Sequence, residues 1–315
     1  MKHLRMKKKA NADSNTDTVD AVSNALRMRG SPSRALASAW FFKTGKGQYG
    51  YGDKFIGVSV PEQRKIAKRF SELSSCEIDK LLKSPIHECR LTALLILVGQ
   101  FKSLYNEKGR LTLKQVGAVQ KKVAFDDRDN GSKMSELEIT DSMASRIGSG
   151  NMTESSANRK KMKLIADFYL AHTKYINNWD LVDSSASYIL GSYLMDKERD
   201  ILYKLAKSNN LWERRIAIIA SGEFIRNGQF SDTLAISKML LHDEHDLIHK
   251  AVGWMLREVG KRSKPTLVAF LDEYSSKMPR TALRYSIEHF DGEERERYMR
   301  RVGLRKKECI SHTCQ

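Results

Sequence analysis

The sequence predicts an all-α fold built from successive pairs of helices, and three observations support this. From Ser33 onward the apolar residues keep a helical spacing, and no long run of alternating apolar and polar residues indicates a strand. Four of the five prolines stand where the first turn of a helix would begin, a position at which the missing N–H costs little. A helix-pair unit also recurs about every 30 to 40 residues.

Each recurring unit contains a short helix followed by a second helix that opens with a charged residue close to a small one. The predicted short helices cover 77–82, 163–172, 199–207, 233–241 and 267–275. The charged residues of the second helices are Arg90, Asp183, Arg215, Lys250 and Arg280. Such a repeat is typical of an α-solenoid of the HEAT or armadillo type, whose concave face presents equivalent positions of successive second helices. The sequence therefore predicts a concave basic groove in which Asp183 is the one carboxylate.

The repeat does not extend over the whole chain. Residues 1–30 are polar and basic and predict a disordered N-terminal tail, residues 31–302 the solenoid, and residues 303–315 a C-terminal tail. A polar stretch at about 106–160 contains Phe125 as its only aromatic residue. Because such a stretch offers few side chains for burial, it predicts a solvated insertion within the solenoid.

Composition limits the partners that the chain is expected to have. Lys and Arg outnumber Asp and Glu by 55 to 38, which gives a formal net charge of +17. Nucleic acid is the commonest partner of so basic a chain, because each neutralised phosphate releases condensed counterions, and an anionic membrane surface is the alternative. No apolar run reaches the roughly 18 residues of a membrane-spanning helix. Only four cysteines in 315 residues favour a reducing intracellular compartment, cytoplasmic or, in a eukaryote, nuclear.

The sequence predicts neither a metal nor a cofactor. The glycines of 45–50 match G-x-G-x-x-G, but no strand precedes them, so an ordered loop is expected in place of a dinucleotide site. His242, His245 and His249 have the spacing of a helical metal face, although a solvated helix start is the favoured interpretation.

A tryptophan and a carboxylate form the candidate catalytic pair. Trp179 and Asp183 stand four residues apart, which places them on one face of a helix. A carboxylate stabilises an oxocarbenium-like sugar and can orient water, while an indole face stabilises cations. The alternative is structural, with Trp179 in the core and Asp183 ion-paired to Arg215. Trp40 and Trp212 are expected to be core residues.

Several segments of the sequence resemble the AlkD-like DNA alkylation repair family. They lie at 41–58, 60–65, 84–90, 177–183, 211–220, 250–258 and 278–288. The resemblance runs from about Ser33 to Val302 and is interrupted only by the insertion. It implies a HEAT-like solenoid that acts as a monofunctional DNA glycosylase, releasing N3- and N7-alkylated purines from double-stranded DNA without drawing the base into a pocket. A monomer that needs no cofactor is expected.

The resemblance also implies roles for individual residues. It implies catalytic roles for Trp179, Asp183 and Arg215, with Asp183 acting on the sugar cation and Arg215 holding a phosphate. Trp254 matches a second tryptophan of the groove, and Phe41 replaces a groove tyrosine, so that a hydroxyl contact is lost. The cationic side chains expected to bind DNA are Arg90, Lys250, Arg257, Arg280 and Arg284.

Two other functions are compatible with the same residues. The groove could bind DNA or structured nucleic acid without cleaving it, since many solenoids are scaffolds. A solenoid that uses its basic charge to bind acidic proteins is the third hypothesis.

Overall fold

The computed structural model describes residues 18–105 and 151–300, and within these ranges the chain forms helices and no strand. An isolated β-bridge joins Lys54 to Ile86. The all-α prediction is therefore confirmed, and the solenoid remains a prediction. The chain divides into two compact units, Met1–Ile96 and Leu97–Gln315.

The first unit contains four complete helices and the start of a fifth. They are α1 (Val19–Arg27), α2 (Pro32–Phe41), α3 (Val60–Arg69), α4 (Ser75–Leu82) and α5 (87–105), which continues into the second unit.

The second unit contains the remaining helices of the described ranges. They are α6 (Asn151–Ala171), α7 (Trp179–Asp183), α8 (Asp200–Ala206), α9 (Leu211–Ala220), α10 (Gly222–Arg226), α11 (Ser231–Met239), α12 (Asp246–Arg262), α13 (Lys264–Tyr274), α14 (Arg280–Ser286) and α15 (292–300). A π-helical turn, Ser187–Gly191, follows α7. Every predicted short helix is present, and each of the five charged residues lies in a helix, but α7 ends at Asp183 where a second helix was predicted to open. In the parts of the chain that the structure describes, no helix combines the length and the apolar composition needed to cross a bilayer.

Helix α1 corrects the prediction that residues 1–30 form a disordered tail. Val22 and Leu26 are fully buried, because they stand four residues apart and form one apolar face of the helix. The side chain of Thr18 caps the helix by accepting a hydrogen bond from the Ala21 N–H (3.2 Å). The other residues of the predicted tail, 1–17, lie outside the described residues, as does the predicted C-terminal tail.

The prediction of an insertion at 106–160 also extends too far toward the C-terminus. Helix α6 begins at Asn151 and buries Met162, Ala166 and Tyr169. These residues follow one another at intervals of three and four, so the apolar face extends back toward the polar stretch. Residues 106–150 lie outside the described residues.

Two glycines allow successive helices of the second unit to approach closely. A Cβ atom on Gly191 would lie 2.3 Å from the carbonyl oxygen of Ala220, and one on Gly253 would lie 2.5 Å from the carbonyl oxygen of Ala282. Only glycine fits at such a contact. The same kind of contact therefore joins the π turn to α9 and α12 to α14, which agrees with a repeated unit.

Candidate active site

Helix α7 presents Trp179 and Asp183 on one face because two of its residues are buried on the other side and Asn178 caps it. Asn178 is fully buried, and its Oδ1 accepts a hydrogen bond from the Trp179 N–H (2.8 Å). Leu181 and Val182 are fully buried and anchor the opposite side of the helix. Trp179 and Asp183 are partly exposed, four residues apart, and therefore share the accessible face.

A bidentate contact with Arg215 fixes the Asp183 carboxylate. Nε of Arg215 donates to Oδ1 of Asp183 (2.9 Å), and Nη2 donates to Oδ2 (2.8 Å). The third nitrogen, Nη1, donates to the carbonyl oxygen of Leu247, so that helices α7, α9 and α12 meet at one guanidinium. Arg215 is 5% exposed, whereas the Asp183 side chain is 17% exposed. The cation is thus enclosed in protein, and the carboxylate keeps an accessible edge.

This arrangement supports a positioning role for Arg215, beside the phosphate contact that the resemblance implies. A phosphate contact requires N–H groups at the surface, but Arg215 is 5% exposed and three of its five N–H groups donate to protein oxygens. Helix α9 holds the Arg215 side chain in place. Asn210 caps this helix by accepting a hydrogen bond from the Trp212 N–H (2.9 Å), and Trp212 is buried, as expected. The geometry is that of a residue that orients Asp183.

Burial and ion pairing act on Asp183 in opposite directions. Burial raises the pKa of the Asp183 carboxyl above its ordinary value, while the neighbouring Arg215 guanidinium lowers it without cancelling the effect of burial. Both carboxyl oxygens accept N–H bonds from the guanidinium, which is the arrangement of an ionised carboxylate. A partly desolvated carboxylate of this kind acts strongly on a positive charge that develops beside it.

Tyr169, which was not among the predicted site residues, supports helix α7 through a hydrogen-bond network. It is fully buried on α6, and its hydroxyl donates to Oγ of Ser185 (2.9 Å), whose own proton goes to the carbonyl oxygen of Leu181 (2.6 Å). Burial also raises the pKa of Tyr169, so it remains a neutral hydroxyl. These two hydrogen bonds anchor the backbone of α7. The helical spacing of Tyr169 is the only feature of the sequence that could have indicated this role.

The other predicted residues of the second unit lie on α12 and α14. Lys250, Trp254 and Arg257 follow one another along α12; Lys250 pairs with Asp246 of its own helix (2.7 Å), and Arg257 pairs with Glu288. Trp254 is partly exposed.

Two arginines of α14 carry free charge. Arg280 and Arg284 are both exposed. Neither takes part in an ion pair within residues 18–105 and 151–300. They are therefore available to an anionic ligand.

In the first unit, Arg90 is buried, although it was predicted to bind DNA. It is 5% exposed, pairs with Asp53 (2.6 Å) and donates to the carbonyl oxygen of Ser84 (2.9 Å). The expectation of a solvent-facing cation is wrong, because the glycine-rich loop places a carboxylate directly over the guanidinium. Phe41 is 56% exposed, as a groove residue requires. Trp40 is 84% exposed and is therefore not the core residue that was expected.

The three histidines near the start of α12 follow the favoured interpretation. Nδ1 of His245 caps the helix by accepting from the Leu247 N–H (3.1 Å). The ring of His249 forms a hydrogen bond with the carbonyl oxygen of Asp243. These hydrogen bonds stabilise the N-terminus of α12.

Comparisons with known proteins identify a family for this chain. The model of the family described as DNA alkylation repair enzyme matches residues 22–127 and 111–290. Among solved structures, one named "Predicted DNA alkylation repair enzyme from Enterococcus faecalis" is similar, with a TM-score of 0.53 and 12% sequence identity, over 84% of this chain and 98% of that chain. At this identity the likeness concerns the fold alone. Among curated proteins, none matches the sequence.

Proposed function

The chain belongs to the DNA alkylation repair enzyme family, and on this premise we propose that it is a monofunctional DNA N-glycosylase. Its substrates in this proposal are N3- and N7-alkylated purines in double-stranded DNA, which carry a positive charge. The observation that carries the proposal is the Asp183 carboxylate, held by two guanidinium nitrogens at 2.8 and 2.9 Å and exposed along one edge beside Trp179.

In the proposed reaction the bond between C1′ of deoxyribose and the purine nitrogen breaks heterolytically. The bonding electrons go to the cationic purine, which leaves as a neutral base, so that no general acid is needed. The sugar becomes an oxocarbenium ion, which the Asp183 carboxylate stabilises by its negative charge. Water then adds to C1′ and passes a proton to Asp183 or to solvent, leaving an abasic site.

The neighbouring residues have supporting roles in this proposal. Arg215 is a positioning residue that keeps both oxygens of Asp183 directed at the sugar. Trp179 packs its indole against the deoxyribose, where its quadrupole favours the developing cation. Trp254 on α12 packs against the backbone next to the lesion.

The proposal also concerns how the duplex is held. We expect the repeated helix pairs to form a solenoid, with Lys250, Arg280 and Arg284 bound to phosphates on its concave face. Arg280 and Arg284 are exposed and without ion pairs in the described ranges, which supports this assignment. Lys250 would exchange its contact with Asp246 for a phosphate. The base remains in the duplex, so that bulky N7 adducts are expected to be substrates as well.

Product analysis tests the proposed function. A duplex with a single N7-methylguanine is incubated with the full-length chain, and free base, abasic sites and strand breaks are measured separately. Release of 7-methylguanine with an equal amount of abasic sites and no direct strand break is the expected result. Tight, salt-dependent binding without release would indicate the non-catalytic scaffold instead. Loss of the methyl group with retention of the guanine would indicate a dealkylase.

A further inference from the structure

Helix α2 carries a ridge of large apolar side chains, Leu36, Trp40 and Phe41, that is exposed in the first unit. Their exposed fractions are 74%, 84% and 56%, and α2 has no buried residue. Leu36 and Trp40 stand four residues apart, so their side chains lie next to each other on one face. Single exposed apolar residues are common, but three together on one short helix indicate a contact surface. We call these three residues the α2 ridge.

The exposure of the ridge is fixed by contacts at both ends of α2. At the N-terminal end, the Ser31 N–H donates to the carbonyl oxygen of Ile56 (2.9 Å), and Nε of Arg34 donates to that of Gly57 (2.8 Å). Gly57 has φ +78° and leaves no room for a Cβ atom, which would lie 2.6 Å from the backbone nitrogen of Ala35. The side of α2 opposite the ridge therefore packs against the backbone of Ile56 and Gly57.

Aromatic packing holds the C-terminal end of α2. Phe42 stacks on Phe55 with ring centroids 5.2 Å apart and packs against His87 at 5.0 Å. Phe42 thus turns inward, while Trp40 and Phe41 remain outside. Trp40 and Phe41 border a concavity of about 430 Å³ that is also lined by Arg34 and residues 57–59.

The segment that carries the ridge is basic. Between residues 30 and 60 the only acidic residue is Asp53, which is 3% exposed and paired with Arg90. The same segment carries four exposed cations that form no ion pair within the described residues: Arg34, Lys43, Lys46 and Lys54. A basic partner is disfavoured, and a polyanion with apolar surfaces is favoured.

We propose that the α2 ridge inserts into DNA, with the Trp40 indole packed against bases and the surrounding cations on phosphates. The choice of DNA rests on the proposed function. Nucleic acid combines a polyanionic backbone with apolar base faces, and proteins that enter its grooves use apolar wedges flanked by Lys and Arg. An anionic membrane has a related chemistry, but an interfacial helix needs a broad apolar face, whereas α2 has ten residues and three large apolar side chains.

The first experiment measures binding of the full-length chain to an undamaged duplex that contains 2-aminopurine, by anisotropy and by emission. Trp40→Ala is expected to weaken binding by about 5- to 150-fold and to abolish the change in 2-aminopurine emission. Leu36→Ala should weaken it by about two- to fivefold. Leu164→Ala removes the same group from a leucine that is 67% exposed on α6, and serves as the matched control with unchanged affinity and emission. Circular dichroism confirms that each variant is folded.

Three results would overturn the proposal. One is a folded Trp40→Ala variant with wild-type affinity and emission. Another is a loss as large in Leu164→Ala as in Leu36→Ala. The third is a Trp40→Ala variant that binds DNA like the wild type but loses another interaction. That interaction would be binding to phosphatidylserine vesicles or self-association detected by light scattering. Asp183→Asn separates this proposal from the proposed function, because it should lose base release and retain the Trp40-dependent emission. If the wild-type chain releases no base and the emission change persists, the ridge is supported and the glycosylase is not.

Discussion

Replacing Arg215 by lysine tests whether this residue orients Asp183 or binds a phosphate. Arg215 donates three charge-assisted hydrogen bonds, two to Asp183 and one to the carbonyl oxygen of Leu247. Lysine keeps the charge but cannot reach all three acceptors from one nitrogen. With two bonds lost, each worth about 1.5–3 kcal/mol and partly replaced by relaxation, the free energy of unfolding should fall by about 2–4 kcal/mol.

The catalytic effect of Arg215→Lys should be large and the effect on DNA affinity small. A carboxylate displaced by about 1 Å lowers the rate of the chemical step by about 100-fold. Because Arg215 is 5% exposed, the affinity for duplex should change by no more than about twofold. The assay is release of 7-methylguanine under single-turnover conditions, with the dissociation constant measured on the same duplex.

Arg199→Lys provides the matched control for this prediction. Arg199 pairs with Asp232 (2.5 Å) in a similarly enclosed contact, with side chains 15% and 13% exposed, and is not part of the site. It should lose comparable stability and keep the wild-type rate. A drop in DNA affinity at an unchanged single-turnover rate for Arg215→Lys would refute the positioning role and restore the phosphate contact.

Three further predictions follow from pKa shifts and packing. Because burial raises the pKa of Asp183 above 3.8, the rate of base release should fall with decreasing pH with a midpoint above 3.8; a midpoint at or below that value contradicts the assignment. Burial lowers the pKa of His245 below 6.5, so its cap on α12 contributes stability above pH 6.5 that is lost as the pH falls through the folded-state pKa. His245→Asn, which caps without titrating, should show a smaller loss of unfolding free energy between neutral and acidic pH, and an equal loss would count against the cap. Gly253→Ala would place a Cβ atom 2.5 Å from the carbonyl oxygen of Ala282 and should lower the unfolding free energy by about 1–3 kcal/mol. Gly99→Ala, with open space around it, should instead raise that energy by about 0.5–1 kcal/mol, and similar values for both variants would contradict the close helix contact.

Local patterns made much of the helical architecture and the candidate pair predictable. Helix position depends on apolar spacing and on capping residues, both of which are visible within ten or so residues of sequence. The spacing of Trp179 and Asp183 places them on one face of any helix that contains both. The residues around His245 likewise favour a helix start.

Contacts between distant segments could not be predicted in this way. Arg90 appears as a free cation until the loop that contains Asp53, 37 residues earlier, folds over it. Trp40 looks like a core residue in the sequence, but the nearby Phe42 fills the inward position against Phe55. Whether a charge is free or an indole is buried depends on tertiary packing.

The most direct test of the account is the rate of 7-methylguanine release under saturating single-turnover conditions by the wild-type chain, Asp183→Asn and Asp232→Asn. Both variants lose a carboxylate that is paired with an arginine. Only Asp183→Asn is predicted to slow release, by about 100-fold or more, while keeping its affinity for duplex. Release by Asp183→Asn at the wild-type rate, or equal slowing of both variants, would contradict the assignment of Asp183 as the group that stabilises the sugar cation.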